Sequence, residues 1–258
     1  MYKVLDAILT VIFPPRCPSC EDIISYRQFQ TRGFCEECAT KITPVRGRIC
    51  DICGAPLRGN EDGVLCGNCV RRRNNIHYLQ GRALFEYSGP MKQAMYRFKA
   101  SHRTGLRKFF IKSVRKNRNL YRWISRHNFD AVVPVPMFHD KVRRRGYNQA
   151  LLLAREISRE FDIPLRDDLV ERIEDTKPMK ELTEAERKNN LKNAFKNRTI
   201  GVKLNRILLI DDIFTTGGTI EEVSHALVDA GVKQVYFLVM CIGRTDKKRG
   251  TSYGCTDM

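Results

Sequence analysis

The chain has 258 residues, of which 42% are hydrophobic and 29% are charged, and its formal net charge is +17. This length accommodates one ordinary α/β domain with a small accessory module, and no apolar run is long enough to span a bilayer. The composition therefore excludes a membrane-spanning protein and favours a soluble globular one.

The first segment, Tyr2–Phe13, is predicted to be a short amphipathic helix. A signal peptide is disfavoured because Asp6 lies within the segment, the apolar run is short, and two prolines follow without a small-residue cleavage site. We therefore expect this segment to belong to the folded protein.

Ten cysteines occur in the chain, and eight of them form four CxxC pairs. Each pair can present two thiolates to one tetrahedral ion, and the spacing between the pairs suits two short zinc ribbons. Because so small a segment buries little core, the metal would supply the folding energy. The predicted ligands of two Zn²⁺ ions are Cys17, Cys20, Cys35, Cys38, Cys50, Cys53, Cys66 and Cys69.

Disulfides or redox CxxC motifs are the alternatives for these cysteines, and cross-braced pairing between the two sets of four stays open. The regular CxxC spacing favours metal thiolates in a reducing compartment, so the protein is expected in the cytoplasm. The ribbon module, with its preceding short helix, is assigned to residues 1–75.

Beyond residue 75, strand and helix patterns alternate, which predicts an α/β domain with a parallel sheet at residues 76–245. Thr176–Phe195 is polar and is predicted to be a mobile loop leading into a helix, and residues 246–258 to be a flexible tail. The predicted strands are Arg82–Tyr87, Ala131–Val135, Arg206–Ile210 and Gln234–Ile242. The predicted helices are Pro90–Lys99, Leu106–Ile124, Gln149–Phe161 and Thr219–Ala230.

A candidate sugar-phosphate site follows the apolar run Ile207–Ile210. Asp211 and Asp212 are expected at the carboxyl end of this strand, where ligands bind in open α/β sheets. The next helix begins after a glycine-rich turn, whose amides and hydroxyls would hold a phosphate while the carboxylates reach the vicinal hydroxyls of a pentose. The alternative is an ordinary connection with helix-capping threonines. The turn residues are Thr215, Thr216, Gly217, Gly218 and Thr219.

The string RILLIDDIFTTGGT matches the phosphoribosyl pyrophosphate (PRPP) motif of type I phosphoribosyltransferases. The whole chain resembles the ComF family of competence-associated proteins, through CPSC, FCEEC, CDICG, CGNC, DAVVPVPM, RRRGYNQA and TEAERKNNLKNAF. The resemblance implies the type I phosphoribosyltransferase fold, a central and mainly parallel sheet flanked by helices, with a small N-terminal double zinc ribbon.

The resemblance also implies PRPP with Mg²⁺ as ligand, with Asp211, Asp212 and Arg187 as catalytic residues. Pro134–Met137 would grip the pyrophosphate through Pro136 and Met137. Arg143–Arg145 could donate charge-assisted hydrogen bonds to it, Arg144 and Arg145 above all, although such a run is often merely a solvated surface. The family commonly shows a glutamine shortly after the TKP string, where this chain has Met179 and Lys180.

Between Tyr87 and Phe129 there are twelve Lys or Arg residues and no acid. Aromatic side chains, Trp123 among them, are interleaved with these cations, which predicts contact with single-stranded DNA, unless the aromatics are core and the basic face is only solvated. The resemblance implies the same ligand and competence machinery as partner, including a helicase-like protein.

Two functions are consistent with these features. One is an enzyme that transfers phosphoribosyl to an unidentified nucleophile, and the other is a PRPP-binding protein that handles single-stranded DNA in competence. A nucleotide-salvage phosphoribosyltransferase is a weaker third alternative, because no base-recognition segment can be identified.

Overall fold

A computed structural model describes residues 14–57, 63–100, 105–174 and 194–243. The predicted helix at Tyr2–Phe13, most of the predicted loop with Arg187, and the predicted tail lie outside the described residues. Within the described part of the chain, no helix is both long and apolar enough to cross a membrane.

The cysteine-rich segment contains three short helices, two of which begin at a CxxC pair. Helix α1 (Tyr26–Thr31) is capped by Ser25 and Gln28 in a capping box, and α2 (Glu36–Thr40) begins after Cys35, whose sulfur accepts from the Cys38 amide. Helix α3 (Gly67–Arg72) follows Cys66 and continues into a single 3₁₀ turn, Arg73–Asn75. These turns bring the thiols of each set together.

Four parallel strands form the central sheet in the order β1-β6-β5-β2. The parallel sheet was predicted. Helices cover both of its faces, and the strands after the first are accordingly apolar along most of their length. A separate antiparallel pair consists of β3 (Val170–Arg172) and β4 (Phe195–Asn197). The sheet strands are β1 (Gln80–Glu86), β2 (Ala131–Pro134), β5 (Arg206–Phe214) and β6 (Gln234–Ile242).

Helices cover both faces of the sheet. Along β5, Ile207 and Leu209 enter one core with the helix that follows the strand, whereas Leu208 and Ile210 enter the other core with the earlier helices. The helices are α4 (Gly89–Ala100), α5 (Leu106–Lys116), α6 (Arg118–Arg126), α7 (His139–Arg145), α8 (Gln149–Phe161) and α9 (Gly218–Asp229).

The single helix predicted over Leu106–Ile124 is wrong. Asn117 has non-helical backbone angles, and its amide bonds back to the carbonyls of Ser113 and Val114, which ends α5. Its side chain then accepts from the Leu120 amide at 3.1 Å and caps α6. The apolar spacing continues across this break because both helices pack on the same core.

Two other boundaries are informative. The helix Gln149–Phe161 and the strand Gln234–Ile242 are confirmed at both ends. Strand β5, however, continues to Phe214, so Asp211 and Asp212 lie within the strand instead of at its end. The pairing of Asp211 with Val239 and of Phe214 with Ile242 on β6 extends the strand past the acidic pair.

Candidate functional site

The candidate site lies at the carboxyl edge of the sheet. Strands β2 and β5 are parallel neighbours, so the segment after Pro134 and the turn after Phe214 leave the sheet at the same edge. The structure thus brings together two segments that were predicted to be ligand loops.

A carboxylate pair and one ammonium group form the polar centre of this edge. Asp212 is 7% exposed, and its Oδ2 lies 2.9 Å from Nζ of Lys99, at the end of α4. The Asp211 carboxylate accepts a hydrogen bond from the amide of Asp212 at 2.8 Å. Lys99 was predicted to belong to a DNA-binding face, but the structure places its charge on the acidic pair.

Burial and mutual repulsion perturb these groups. Burial, together with the negative charge of Asp212, raises the pKa of Asp211 to about 8. Burial alone would lower the pKa of Lys99, but attraction to the Asp212 carboxylate outweighs it and raises that pKa. Lys99 is therefore charged near neutral pH, and Asp211 keeps its proton to a higher pH than an ordinary aspartate does.

The turn after β5 needs glycine at its tightest point. Gly217 has a left-handed φ of +82°, and a Cβ there would lie 2.7 Å from Phe214 and 2.9 Å from the Arg72 guanidinium. Gly217 is also the N-cap of α9, and no side chain caps this helix. Helix-capping threonines, the alternative explanation of the motif, are therefore not observed.

Thr215 and Thr216 are exposed in this turn, next to the amino end of the twelve-residue helix α9. The first amides of a helix have no partner within it, and the helix dipole favours negative charge at this end. The turn can accordingly present hydroxyls and amides to an anion.

The segment that follows the second cysteine set braces the turn. Arg72 Nη1 donates to the Thr216 carbonyl at 2.5 Å, and the amide of His77 donates to the Glu221 carboxylate at 3.2 Å. The His77 ring also contacts this carboxylate, which belongs to the first turn of α9. These contacts join residues 144 positions apart, so the local sequence patterns gave no signal for them.

The segment after β2 is held from α8. The Asn148 amide group donates to the Val135 carbonyl at 3.0 Å, and the Gln149 side chain accepts from Arg145 at 2.7 Å. Asn148 and Gln149 thus hold this region in place. Gly146 ends α7 in a left-handed conformation with φ of +82°.

Eight cysteines form two separate groups of four, and the sulfurs of each group converge on a point of their own. Their pairing is sequential, with Cys17, Cys20, Cys35 and Cys38 in the first group and Cys50, Cys53, Cys66 and Cys69 in the second, so cross-braced pairing between the sets is not observed. Within each group all sulfurs lie within 4.8 Å of one another. Four thiolates around a tetrahedral Zn²⁺ would lie about 3.8 Å apart. The Cys20–Cys35 and Cys53–Cys66 sulfur distances, 3.6 Å and 3.7 Å, fit that geometry.

Many cations of the acid-free stretch have partners elsewhere in the chain. Arg107 lies 3.1 Å from Glu156, Arg115 Nε donates to Glu160 at 2.8 Å, and Lys112 donates to the Gln30 carbonyl at 2.6 Å. Arg97 contacts the Ser19 carbonyl and, at 3.4 Å, Glu21. The predicted DNA-binding face is therefore smaller than the stretch itself.

The aromatic side chains of this stretch likewise differ in exposure, and only some of them are accessible to a ligand. Phe98 and Phe110 are buried in the core, whereas Tyr96 is 64% exposed. The indole of Trp123 is half-buried and donates to the Gln80 side chain at 2.6 Å. The Arg82 guanidinium lies 5.3 Å from the centre of the same ring, so Trp123 is packed and does not project freely into solvent.

Comparison with known proteins agrees with this architecture. Residues 8–70 match the double zinc ribbon domain family, and residues 111–256 match the phosphoribosyl transferase domain family. The predicted fold class and the two zinc sites are thereby confirmed.

The chain is also similar to several named proteins over most of its length. It is 32% identical over 213 residues to competence protein F of Haemophilus influenzae, an alignment that covers 79% of this chain and 87% of that protein. It is 29% identical to the DNA utilization protein YhgH of Escherichia coli K12, with 83% and 97% covered. The identity to competence protein ComFC of Bacillus subtilis is 27%, with 76% and 78% covered.

Proposed function

The chain belongs to the ComF family and carries a double zinc ribbon with a phosphoribosyl transferase domain, and from this premise we propose that it binds PRPP and acts in DNA uptake. The observation that carries the PRPP proposal is the convergence at one sheet edge of the acidic pair, the glycine turn and the segment after β2.

Each part of this edge suits one part of PRPP. The amides of Gly217, Gly218 and Thr219, with the hydroxyls of Thr215 and Thr216, suit the phosphate of the pentose. Carboxylates accept hydrogen bonds from hydroxyl groups, so Asp211 and Asp212 suit the two vicinal hydroxyls of the ribose.

The pyrophosphate, which enters as a complex with Mg²⁺, is assigned to the segment after β2. Pro136 and Met137 lie there, and Arg144 and Arg145 on α7 supply positive charge nearby. Departure of pyrophosphate from the anomeric carbon would develop positive charge on the ribose, and Arg144 and Arg145, with Mg²⁺ bound to the pyrophosphate, would counter the negative charge of the leaving group. Arg187 remains a predicted catalytic residue, outside the described part of the chain.

The DNA role is proposed from the relatives. Proteins named for competence and for DNA utilization align with most of this chain. We therefore assign the chain a cytoplasmic role in DNA uptake, with single-stranded DNA and the competence machinery, including a helicase-like protein, as its partners.

A single assay of pyrophosphate release distinguishes an enzyme from a protein that only binds PRPP. An enzyme would release pyrophosphate from PRPP only when the right acceptor is added. A screen of nucleobases, amines and nucleic acids tests this, and absence of acceptor-dependent release favours the binding protein. Release with a nucleobase alone would favour the alternative, a nucleotide-salvage phosphoribosyltransferase.

Calorimetry with PRPP and Mg²⁺ tests the placement of the site. Asp212→Ala and Thr216→Ala are each expected to weaken binding by about tenfold or more, because each removes a hydrogen bond to a charged or polyhydroxylated ligand. Asp229→Asn, at the far end of α9, is the control and should bind as the wild type does. If both site variants bind PRPP like the wild type, the proposed site is wrong.

A further inference from the structure

A basic groove lies at the outer edge of the sheet, away from the candidate PRPP site. Its volume is about 890 Å³, and it is bordered by residues 44–49, by β1 and by the junction between α5 and α6. Strand β6 separates β1 from β5, so the groove and the glycine turn belong to different parts of the molecule. The cations that line the groove are Arg46, Arg82, Lys116 and Arg118.

The three exposed cations of this groove have no acidic partner among the described residues. Arg46, Lys116 and Arg118 are exposed, and none of them forms an ion pair with another described residue. Arg107 and Arg115 on α5, by contrast, are paired with Glu156 and Glu160. No Asp or Glu lines the groove.

Arg82 differs from the other three cations because it is fixed in place. Its guanidinium packs over Trp123 and donates to the carbonyl of Gly81 at 2.8 Å. Burial lowers its pKa, while the nearby Asp51 acts in the opposite direction. One positioned guanidinium together with three exposed cations can contact successive charges of an extended anion.

We propose that the basic groove binds the phosphodiester backbone of single-stranded DNA, an inference that rests on the proposed role in DNA uptake. Cations from both modules line it, Arg46 from the segment between the two cysteine groups and the others from the α/β domain. A bound strand would therefore contact both modules at once.

The shape of the groove favours a single strand over a duplex. The groove is a recess between a loop, a sheet edge and two helices, and a flexible single strand can bend to follow such a recess more readily than a stiff double helix. Its polar lining at Asn117 and Asn119 adds hydrogen-bonding groups without selecting a base.

Fluorescence anisotropy with a labelled oligo-dT of about 16 nucleotides tests this proposal. The triple variant Arg46→Gln, Lys116→Gln, Arg118→Gln removes three exposed charges and leaves the packed Arg82 in place. A matched triple variant, Arg159→Gln, Lys203→Gln, Lys233→Gln, removes three exposed charges elsewhere.

The groove variant is expected to lose tenfold or more in affinity, and the slope of log K against log salt should fall by about 2, since each phosphate contact contributes roughly 0.7 for single strands. The control variant should bind nearly as the wild type does. Equal losses in the two triple variants, or unchanged binding in the groove variant, would overturn the proposal.

Further binding measurements distinguish this site from the PRPP site and single-stranded DNA from other ligands. The groove variant should keep its affinity for PRPP with Mg²⁺, whereas Asp212→Ala should keep its affinity for oligo-dT. Equal affinity for a duplex of the same length, or full competition by dTMP at equimolar phosphate, would contradict a single-strand site. If the wild type binds no oligo-dT, both this proposal and the DNA-handling role fail, while the PRPP proposal stands.

Discussion

Two carboxylates and one ammonium group lie close together near the carboxyl end of β5. Asp211 and Asp212 are adjacent in the strand, and Lys99 reaches them from the end of α4. One ammonium cannot neutralise two carboxylates, so the acid without a direct partner keeps a proton to a higher pH. A ligand that brings hydroxyl donors would relieve this repulsion by bonding to the ionised forms.

Asp211→Asn tests this balance through the pH dependence of stability. The pKa of Asp211 is raised to about 8 by burial and by Asp212, from an ordinary value of 3.8. The folded protein thus binds this proton more tightly than the unfolded chain, so stability is lost as pH rises from about 4 through 8. Asparagine avoids that loss and keeps the oxygen that accepts from the Asp212 amide. The variant should melt slightly above the wild type at pH 5, and the difference should grow to several degrees at pH 9.

Asp168→Asn provides a control of opposite sign. Arg166 donates two hydrogen bonds to Asp168 and lowers the pKa of that carboxyl group. The ionised Asp168 therefore stabilises the folded protein above the ordinary pKa of aspartate, and this stabilisation is lost on acidification. This variant should be less stable than the wild type at pH 7. A Tm difference for Asp211→Asn that is the same at pH 5 and pH 9 would contradict the assignment.

Among the elements, the glycine turn and the start of α9 depend on a helix from the other module. Arg72 ends α3 and donates to Thr216, while Gly217 leaves no room for a side chain beside that guanidinium. Arg72 is therefore a positioning residue: it holds the backbone whose amides are assigned to the phosphate.

Arg72→Gln should weaken PRPP binding by roughly threefold to tenfold, the effect of one lost charge-assisted hydrogen bond. Arg71→Gln, an exposed neighbour on the same helix, removes the same charge and should have little effect. Calorimetry with PRPP and Mg²⁺ measures both variants, and their melting temperatures show whether the fold is retained. Equal losses in the two variants would indicate a general charge effect instead of positioning.

Elements with long, regular patterns were predictable, and contacts between distant elements were not. Gln149–Phe161 and Gln234–Ile242 follow helical and buried-strand patterns that their own residues determine. The break at Asn117 was missed because its capping bonds do not interrupt the apolar spacing. Lys99 and Arg72 look like surface cations in the sequence, since their partners are supplied by tertiary packing alone.

On the scale of the whole molecule, each zinc ribbon packs against a different face of the sheet. Cys17, Phe34 and Cys38 of the first ribbon belong to the core beneath α4 and α5. The second ribbon, with Cys53 and Cys66, belongs to the core beneath α9. The two ribbons thus extend the cores of the α/β domain on both sides, and among the described residues the second ribbon alone reaches the glycine turn.

Loss of one zinc ion should therefore affect PRPP binding in a way that depends on which ribbon loses it. Cys53→Ser removes a buried ligand of the second site and is expected to loosen α3, with its Arg72, and to weaken PRPP binding. Cys17→Ser removes a buried ligand of the first site, which contacts the opposite core, and should leave PRPP affinity closer to that of the wild type.

Metal analysis should find about one zinc per chain in each cysteine variant, and calorimetry with PRPP and Mg²⁺ then compares them at equal zinc loss. Far-UV circular dichroism establishes that the sheet is retained in both. If Cys17→Ser weakens PRPP binding as much as Cys53→Ser does, the ribbons stabilise the domain in general. A selective loss in Cys53→Ser would mean that the second ribbon, through Arg72 and His77, holds the glycine turn in its binding conformation.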